Sequence, residues 1–130
     1  MTIQKERIVP VGWPGSLPEF LVFMELRRRG KRPDVDFTYQ APFQGGRLDK
    51  GGMILDFVFS DPPDLAINVQ GTYYHGTPES RRQDRMVRAQ MAGQGITVIF
   101  IDEADILTDV RRFVGAALQY RDLSRLGPGR

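Results

Sequence analysis

The organisation of the chain is decided by residues 53–71, which read MILDFVFSDPPDLAINVQG. Two apolar segments, Met53–Ser60 and Leu65–Gln70, lie on either side of the turn-forming sequence DPPD. Short apolar runs bounded by proline, aspartate and glycine are typical of neighbouring β-strands joined by a turn. We therefore predict two buried strands, the first of which carries a single carboxylate, Asp56.

The residues before this pair predict a helix and one further strand. Ser16 is a preferred N-cap, and Glu19 three residues later completes a capping-box pattern. The helix should extend from about Leu17 to Arg29. Its expected apolar face comprises Leu17, Phe20, Leu21 and Met24. The alternating residues of the strand that follows are Val35, Phe37 and Tyr39.

The residues after the pair predict a helix, a strand and a last helix. A helix should begin at Thr77-Pro78 and end near Gly93, and Thr97–Ile101 should return as a strand parallel to the third one. Asp102 should cap the last helix, whose expected apolar face contains Ile106, Leu107, Val110, Phe113, Val114, Ala117 and Leu118. The predicted order is α-β-β-β-α-β-α, an α/β fold with a mixed central sheet and an antiparallel meander of its first three strands.

Length and composition indicate one ordinary globular domain. We predict a single domain over residues 1–130, with its core at about 16–121 and a flexible tail at 122–130. The absence of cysteine excludes disulfides, thiolate metal sites and thiol nucleophiles, and it favours a reducing cytosol. The apolar runs are too short to span a bilayer, and residues 1–10 do not resemble a signal peptide, so we expect a cytoplasmic protein without a membrane partner.

Basic residues occur in two groups, although the formal net charge is only +2. The first group is Arg27, Arg28, Arg29, Lys31 and Arg32, and the second is Arg81, Arg82, Arg85 and Arg88. Such groups can neutralise phosphates. Exposed helix faces that keep a protein soluble show the same pattern, and charge alone favours that simpler explanation.

Polar residues within the predicted strands are candidates for a functional site. Asp56 has apolar neighbours, and burying a carboxylate is costly unless it is paired or binds a metal. Asn68 and Gln70 share one face of the third strand by two-residue alternation, beside the strand that carries Asp56. A solvated strand end and a solvated strand face would explain these residues without a function.

The other candidates each have a structural explanation. His75 is the single histidine, and it cannot form a zinc site without cysteines, so carboxylates with Mg²⁺ are the better metal hypothesis. Asp84 and Arg88 have the spacing of an exposed helical ion pair. Glu19 is accounted for as the capping-box acid. Only the combination of these residues points to chemistry.

In combination, these residues resemble the PD-(D/E)XK nuclease superfamily and in particular its Vsr-like branch. The order of elements matches the superfamily core, and the strand with the aspartate comes one hairpin before the second motif. The residues that carry the resemblance are Glu19, Asp56, Asn68, Val69, Gln70, Gly71, His75, Asp84 and Arg88. Over about residues 16–105, the chain is similar to phage-associated homing endonucleases with a Glu-Asp-x-His-Asp set and to Vsr mismatch endonucleases.

The resemblance implies a DNA endonuclease that hydrolyses phosphodiester bonds with Mg²⁺, for which Mn²⁺ can substitute. The catalytic residues that it implies are Glu19, Asp56, Gln70, His75 and Asp84. The expected metal ligands are Asp56 and the backbone carbonyl of Val69, with Asn68 and, through a water, Glu19 as further candidates. The expected DNA contacts are Arg47, Lys50, Arg81, Arg82, Arg85 and Arg88.

The sequence leaves several alternatives open. The usual acid and lysine of the second motif are replaced by Asn68 and Gln70, which would suit a weak or inactive protein that binds nucleic acid or serves as a phage structural module. Within the nuclease class, nicking, structure-selective cleavage and Holliday junction resolution are compatible with the same core. A homodimer, a partner protein that supplies specificity, and a phage origin with a location in the host cytoplasm are also left open.

Overall fold

The computed structural model of the protein describes residues 9–42, 54–71 and 78–124, with the side chains of residues 41, 42, 54, 80 and 81 excepted. The elements in this part of the chain are helix α1 (Leu17–Arg28), strands β1 (Phe37–Pro42), β2 (Ile54–Phe59) and β3 (Leu65–Gln70), helix α2 (Pro78–Ala92), strand β4 (Thr97–Asp102) and helix α3 (Glu103–Leu118). The predicted α/β fold and its element order are confirmed. Across the same ranges, no helix combines the length and apolar character needed to cross a bilayer.

The described strands form one mixed sheet in the order β1-β2-β3-β4. β1 and β2 are antiparallel, with Tyr39 opposite Phe57, and β2 and β3 are also antiparallel. β3 and β4 are parallel, with Ile67 opposite Ile99, because α2 carries the chain back across the sheet between them. The predicted meander and the predicted parallel pair are both confirmed.

Apolar side chains fill both faces of the sheet. Helices α1 and α3 cover one face, where Val22, Leu26 and Phe113 pack against strand residues such as Phe57. Helix α2 covers the other face, where the buried cluster consists of Leu55, Ala66, Met91, Val98 and Phe100. Successive residues of β3 and β4 alternate between the two clusters, as expected for strands that are buried on both faces.

Each of two helices exposes one residue of its predicted apolar face. On α1, Met24 is 43% exposed, whereas Val22 and Leu26 are fully buried. Apolar residues surround much of this helix, so their spacing alone does not identify the buried face. On α3, Leu107 is 45% exposed, and the other predicted residues of the face are buried or packed against the core. Asp109 has non-helical backbone angles (φ −157°, ψ 77°) within this helix.

The first basic group is largely neutralised within the fold. Glu25 is buried on α1 and accepts hydrogen bonds from Arg28 and Arg29. The hydrogen bond from Arg28 is the largest cause that holds the pKa of the Glu25 carboxyl below its usual value. The other ion pairs of this group are Lys31–Asp61 and Arg32–Asp36. These contacts explain the group without a nucleic-acid partner.

The segment after α3 is anchored to the sheet edge by Asp122. Asp122 Oδ2 accepts a hydrogen bond from the backbone N–H of Phe100 at 2.9 Å and lies 3.1 Å from Nη2 of Arg88. Asp122 Oδ1 accepts a hydrogen bond from the backbone N–H of Ser124 at 2.9 Å. Residues 125–130 of the predicted flexible tail 122–130 lie outside the described residues, and two of its first residues, Asp122 and Ser124, are buried. The reason is that an edge strand offers backbone donors that a carboxylate can satisfy.

Replacing Asp122 by alanine should lower the free energy of unfolding by roughly 3 kcal/mol, because Arg88 loses its buried acid and the Phe100 N–H loses its acceptor. Urea denaturation curves measure this change. Asp61→Ala is the matched control, since it removes an exposed carboxylate whose ion pair with Lys31 should contribute at most about 1 kcal/mol. Equal losses in the two variants would contradict the anchoring role of Asp122.

Candidate active site

The regular pairing of β2 with β3 ends at Phe57 and Ile67, and side chains bridge the strands beyond that point. The backbone N–H of Asp56 donates to Asn68 Oδ1 at 2.9 Å, and the backbone N–H of Val69 donates to Asp56 Oδ2 at 2.8 Å. The side chains of Asn68 and Asp56 thus accept hydrogen bonds from the backbone N–H groups of Asp56 and Val69, which lie beyond the regular β2–β3 pairing. This exchange fixes the Asp56 carboxylate at the point where the regular ladder stops.

The environment of the Asp56 carboxyl disfavours its charge. Burial, opposed by the hydrogen bond from the Val69 N–H and reinforced by the negative charge of Glu19, raises the pKa of Asp56 from 3.8 to about 7. Glu19 accepts a hydrogen bond from Tyr39, which pairs with Phe57 next to Asp56 along β2, so the two acids lie in the same region of the sheet. A cation bound by both acids would stabilise their ionised forms.

Glu19 reaches the sheet from the first turn of α1. Ser16 is the N-cap, as predicted, and its Oγ accepts a hydrogen bond from the Glu19 backbone N–H at 3.3 Å. The capping-box pattern predicts that the Glu19 carboxylate bonds back to the helix start. Instead, Glu19 Oε1 accepts hydrogen bonds from the Tyr39 hydroxyl and, at 3.4 Å, from Gln40 Nε2. Strand β1 thus holds this side chain against the sheet.

An irregularity in β1 makes the double contact with Glu19 feasible. Gln40 has a left-handed backbone conformation (φ 56°), which is uncommon for residues other than glycine. Gln40 lies between Tyr39, which is paired with Phe57, and Ala41, which is paired with Leu55. Successive side chains of a regular strand point to opposite faces. The left-handed turn of the backbone lets Tyr39 and Gln40 contact the same carboxylate.

Neighbouring residues pack against both the ring and the hydroxyl of Tyr39. Its ring stacks on Trp13, with the ring centroids 4.7 Å apart and an interplanar angle of 22°. A β-carbon at Gly15 would overlap the Tyr39 hydroxyl oxygen and Glu19 Oε1. Burial, followed by the hydrogen bond to Glu19 and the charges of Glu19 and Asp56, raises the pKa of Tyr39. The Tyr39 hydroxyl therefore stays protonated and acts as a donor.

A second polar pair connects β3 to α2. Gln70 is buried at the end of β3 and donates a hydrogen bond from Nε2 to Asp84 Oδ2 at 2.6 Å. Gln70 Oε1 is buried without a hydrogen-bond partner among the described residues, whereas buried polar atoms are normally paired. Gln70 directly follows Val69, whose N–H contacts Asp56. Consecutive residues of β3 thus contact the two aspartates.

The arginines of α2 lie in two different environments. Arg88 turns toward the sheet, where its guanidinium carbon lies 4.8 Å from the ring centroid of Phe100 and it pairs with Asp122. Arg82 and Arg85 lie on the exposed face of the helix. Arg88 therefore joins α2 to β4, whereas Arg82 and Arg85 face solvent.

The described part of the chain contains most of the predicted site residues. One network contains Asp56, Asn68 and the Val69 backbone, and the adjoining pair is Gln70 and Asp84. Glu19 is bonded to Tyr39 and Gln40 on β1. Within residues 9–42, 54–71 and 78–124, no three histidine, aspartate or glutamate side chains are grouped closely enough to form a metal site by themselves. The predicted residues outside the described part are Arg47, Lys50 and His75, and the Arg81 side chain is not described either.

Tyr39 and Gln40 are not among the candidate residues that the sequence predicts. Tyr39 reads as a core residue of an alternating strand, and Gln40 reads as its solvated neighbour. Their contacts with Glu19 cross about 20 positions of the chain and depend on the left-handed backbone of Gln40. No local sequence pattern indicates such a contact.

The fold is similar to that of a solved structure, the catalytic domain of homing endonuclease I-Bth0305I. The two chains are 16% identical with a TM-score of 0.58, and the similarity covers 82% of this chain and 97% of that chain. No protein-family model matches this chain. No curated protein matches it either. At this level of identity the similarity shows the fold, a nuclease-like core, and the Vsr-like branch stays a prediction.

Asp56 should make the metal-free protein less stable as the pH rises from about 4 to about 7. In this range the unfolded chain has released the Asp56 proton, because its pKa there is near 3.8, whereas the folded protein retains it up to a pKa of about 7. The folded state thus binds more protons, and stability falls by at most about 1.4 kcal/mol per pH unit from this group.

Urea denaturation curves recorded with EDTA across this pH range measure the effect. The Asp56→Asn variant is the comparison, because its amide oxygen can still accept the Val69 N–H and does not titrate. We expect the stability of the variant relative to the parent to increase with pH. A difference that does not change with pH would contradict the raised pKa of Asp56.

Proposed function

We propose that this protein is a metal-dependent DNA endonuclease of the Vsr-like branch of the PD-(D/E)XK nucleases. The observation that carries the proposal is the buried Asp56 carboxylate, which is held by the Val69 N–H where the β2–β3 ladder ends and whose pKa is raised by burial and by the charge of Glu19. An acid with a strongly raised pKa beside a second acid is typical of a functional site. The similarity of the fold to a homing endonuclease catalytic domain supports the same reaction class.

The residues present suit a divalent cation that prefers oxygen ligands. Asp56 and the Val69 backbone carbonyl would hold this cation, and Glu19 would contact it through a water. We propose Mg²⁺, for which Mn²⁺ can substitute. Such a cation would offset the cost of burying the Asp56 charge. When bound, it would polarise the phosphate and lower the pKa of a water.

The remaining chemistry is proposed for side chains at the end of β3 and beyond it. His75 would act as the general acid or base, because an imidazole titrates near neutral pH. Asp84 would orient His75, and the 2.6 Å hydrogen bond from Gln70 Nε2 would orient Asp84. Gln70 occupies the position of the usual lysine and carries no positive charge. The phosphate charge would therefore be balanced by the metal and by arginines.

The exposed arginines of α2 are the proposed contacts with the DNA backbone. Arg82 and Arg85 lie on the helix that carries Asp84, so they would hold the strand beside the cleaved bond. Phosphate contacts position a protein without reading bases. The other contacts proposed from the sequence are Arg47, Lys50, Arg81 and Arg88, the last of which also pairs with Asp122.

A second candidate function is nucleic-acid binding without cleavage. It is favoured by the hydrogen bonds of the two amides: Asn68 Oδ1 accepts the Asp56 N–H, and Gln70 Nε2 donates to Asp84. A site in which amides replace an acid and a lysine would hold a metal weakly. Within the nuclease class, nicking, cleavage of branched DNA, assembly as a dimer, and a phage origin with activity in the host cytoplasm are further proposals.

The Asp56→Asn variant should lose metal-dependent nicking of supercoiled plasmid by at least roughly 100-fold, since a metal-bound carboxylate contributes several kcal/mol to catalysis. The fold should persist, because the amide oxygen can accept the Val69 N–H. The assay compares Mg²⁺, Mn²⁺ and EDTA. Asp61→Asn, which changes an exposed acid near the opposite end of β2, is the control and should nick at the parent rate.

Nicking by Asp56→Asn at the parent rate would exclude Asp56 as the metal ligand. A parent protein that binds DNA tightly but never nicks it with either metal would instead support the non-catalytic candidate.

The variants Arg82→Gln and Arg85→Gln should each bind duplex DNA more weakly and with a shallower salt dependence. Each lost phosphate contact should reduce the slope of log K against log salt by about 0.9. Fluorescence anisotropy in EDTA, with random-sequence duplex at several salt concentrations, measures this slope. Arg27→Gln is the matched control, because it removes an exposed charge at the opposite end of α1 from Glu19. Equal slopes in all three variants would contradict the proposed DNA-binding face.

A further inference from the structure

We propose that Tyr39 is a positioning residue, whose hydroxyl holds the Glu19 carboxylate toward Asp56 before a divalent cation binds. The inference deepens the proposed function and rests on it, because it concerns how the second acid of the same site is placed. Neither the fold nor the motif residues assign any role to Tyr39, so the inference depends on the contacts of its side chain.

The hydrogen bonds of Tyr39 set the direction in which it donates. Gln40 Nε2 donates to the Tyr39 hydroxyl oxygen at 3.0 Å, and the hydroxyl donates to Glu19 Oε1. The amide thus occupies an acceptor position of the hydroxyl, and the hydroxyl proton is directed at the carboxylate. The same amide also lies 3.4 Å from Glu19 Oε1. The three side chains form a closed triangle in which Glu19 is the common acceptor.

Packing of the aromatic ring does not explain the hydroxyl. The ring of Tyr39 stacks on Trp13 and lies 5.0 Å from the ring of Phe57, and both contacts would be kept by phenylalanine. The chain also leaves room for the hydroxyl at Gly15, where any β-carbon would overlap the hydroxyl oxygen and the Glu19 carboxylate. The Tyr39–Glu19 hydrogen bond therefore occupies the space that a side chain at position 15 would fill.

Holding Glu19 in advance should strengthen metal binding. A glutamate side chain has several rotatable bonds, and ordering it when a cation arrives costs conformational entropy. With the Tyr39 hydroxyl and the Gln40 amide bonded to Glu19 Oε1, part of this ordering is already present in the folded protein. Partners that orient ligating groups typically change metal affinity 10–100-fold. Tyr39 should therefore affect how much metal is needed, and much less how fast the loaded protein cleaves.

The test compares Tyr39→Phe and Gly15→Ala with the parent and with Tyr120→Phe. Tyr120 also donates a hydroxyl hydrogen bond, to the Pro63 carbonyl oxygen outside the candidate site, so it is the matched control. Calorimetric titration with Mn²⁺ alone gives the dissociation constant without any cleavage. Plasmid nicking at increasing Mn²⁺ then separates the half-saturating concentration from the maximal rate. Fluorescence of Trp13, the single tryptophan, reports whether the ring stack is intact.

We expect Tyr39→Phe to raise the Mn²⁺ dissociation constant about 10-fold. Its maximal nicking rate should stay within a few fold of the parent, and Tyr120→Phe should match the parent in both quantities. Gly15→Ala should weaken Mn²⁺ binding in the same direction. If Gly15→Ala does not fold, Tyr39→Phe decides alone, because it keeps the ring and its packing.

Three results would overturn the inference, and they bear differently on the proposed function. Equal Mn²⁺ affinity in Tyr39→Phe and the parent, with an active parent, overturns the inference and leaves the proposed function in place. A lower maximal rate with unchanged affinity overturns it as well, because Tyr39 would then act in the chemistry itself. Absence of Mn²⁺ binding and of nicking in the parent overturns both.

Discussion

Burial of the Asp56 charge is the constraint to which the rest of the site is adjusted. β2 must be apolar, since helices cover both faces of the sheet, yet it carries a carboxylate in its middle. The Val69 N–H compensates part of that cost, Asn68 Oδ1 accepts the Asp56 backbone N–H, and the regular β2–β3 ladder ends beside them. The left-handed Gln40 lies beside the same position on the neighbouring strand. Departures from regular strand geometry are thus concentrated around one acid.

Local patterns predicted the elements well, because a strand such as Leu65–Gln70 is bounded by turn residues and buried on both faces. They also made Asp56 a candidate, since a lone acid in an apolar run stands out. They predicted the buried face of α1 only in part, because Phe20 is buried as expected, whereas Met24 is exposed and the acid Glu25 is buried against two arginines. The contact between Tyr39 and Glu19 was beyond prediction, because it depends on tertiary packing and on an unusual backbone angle.

The two basic groups look alike in the sequence and differ in the structure. Arg28 and Arg29 have an acid one turn away, and Arg29 also donates to the Arg111 carbonyl oxygen of α3, 82 positions along the chain. Arg82 and Arg85 lie on the outside of α2. An arginine that is already paired with an acid of the same protein is less available to bind a partner. A count of charges in the sequence does not show which arginines are paired in this way.

The anchoring of Asp122 bears on how the protein behaves at high concentration. β4 is the last strand of the sheet in the described part of the chain, and unpaired backbone groups on an outer strand can template association with other molecules. Asp122 occupies one of those groups and draws the following residues across the edge. Loss of this side chain would therefore promote intermolecular β-pairing and precipitation. A substitution remote from the acids would then remove protein from solution through aggregation, while each molecule that stays folded keeps the Asp56 region unchanged.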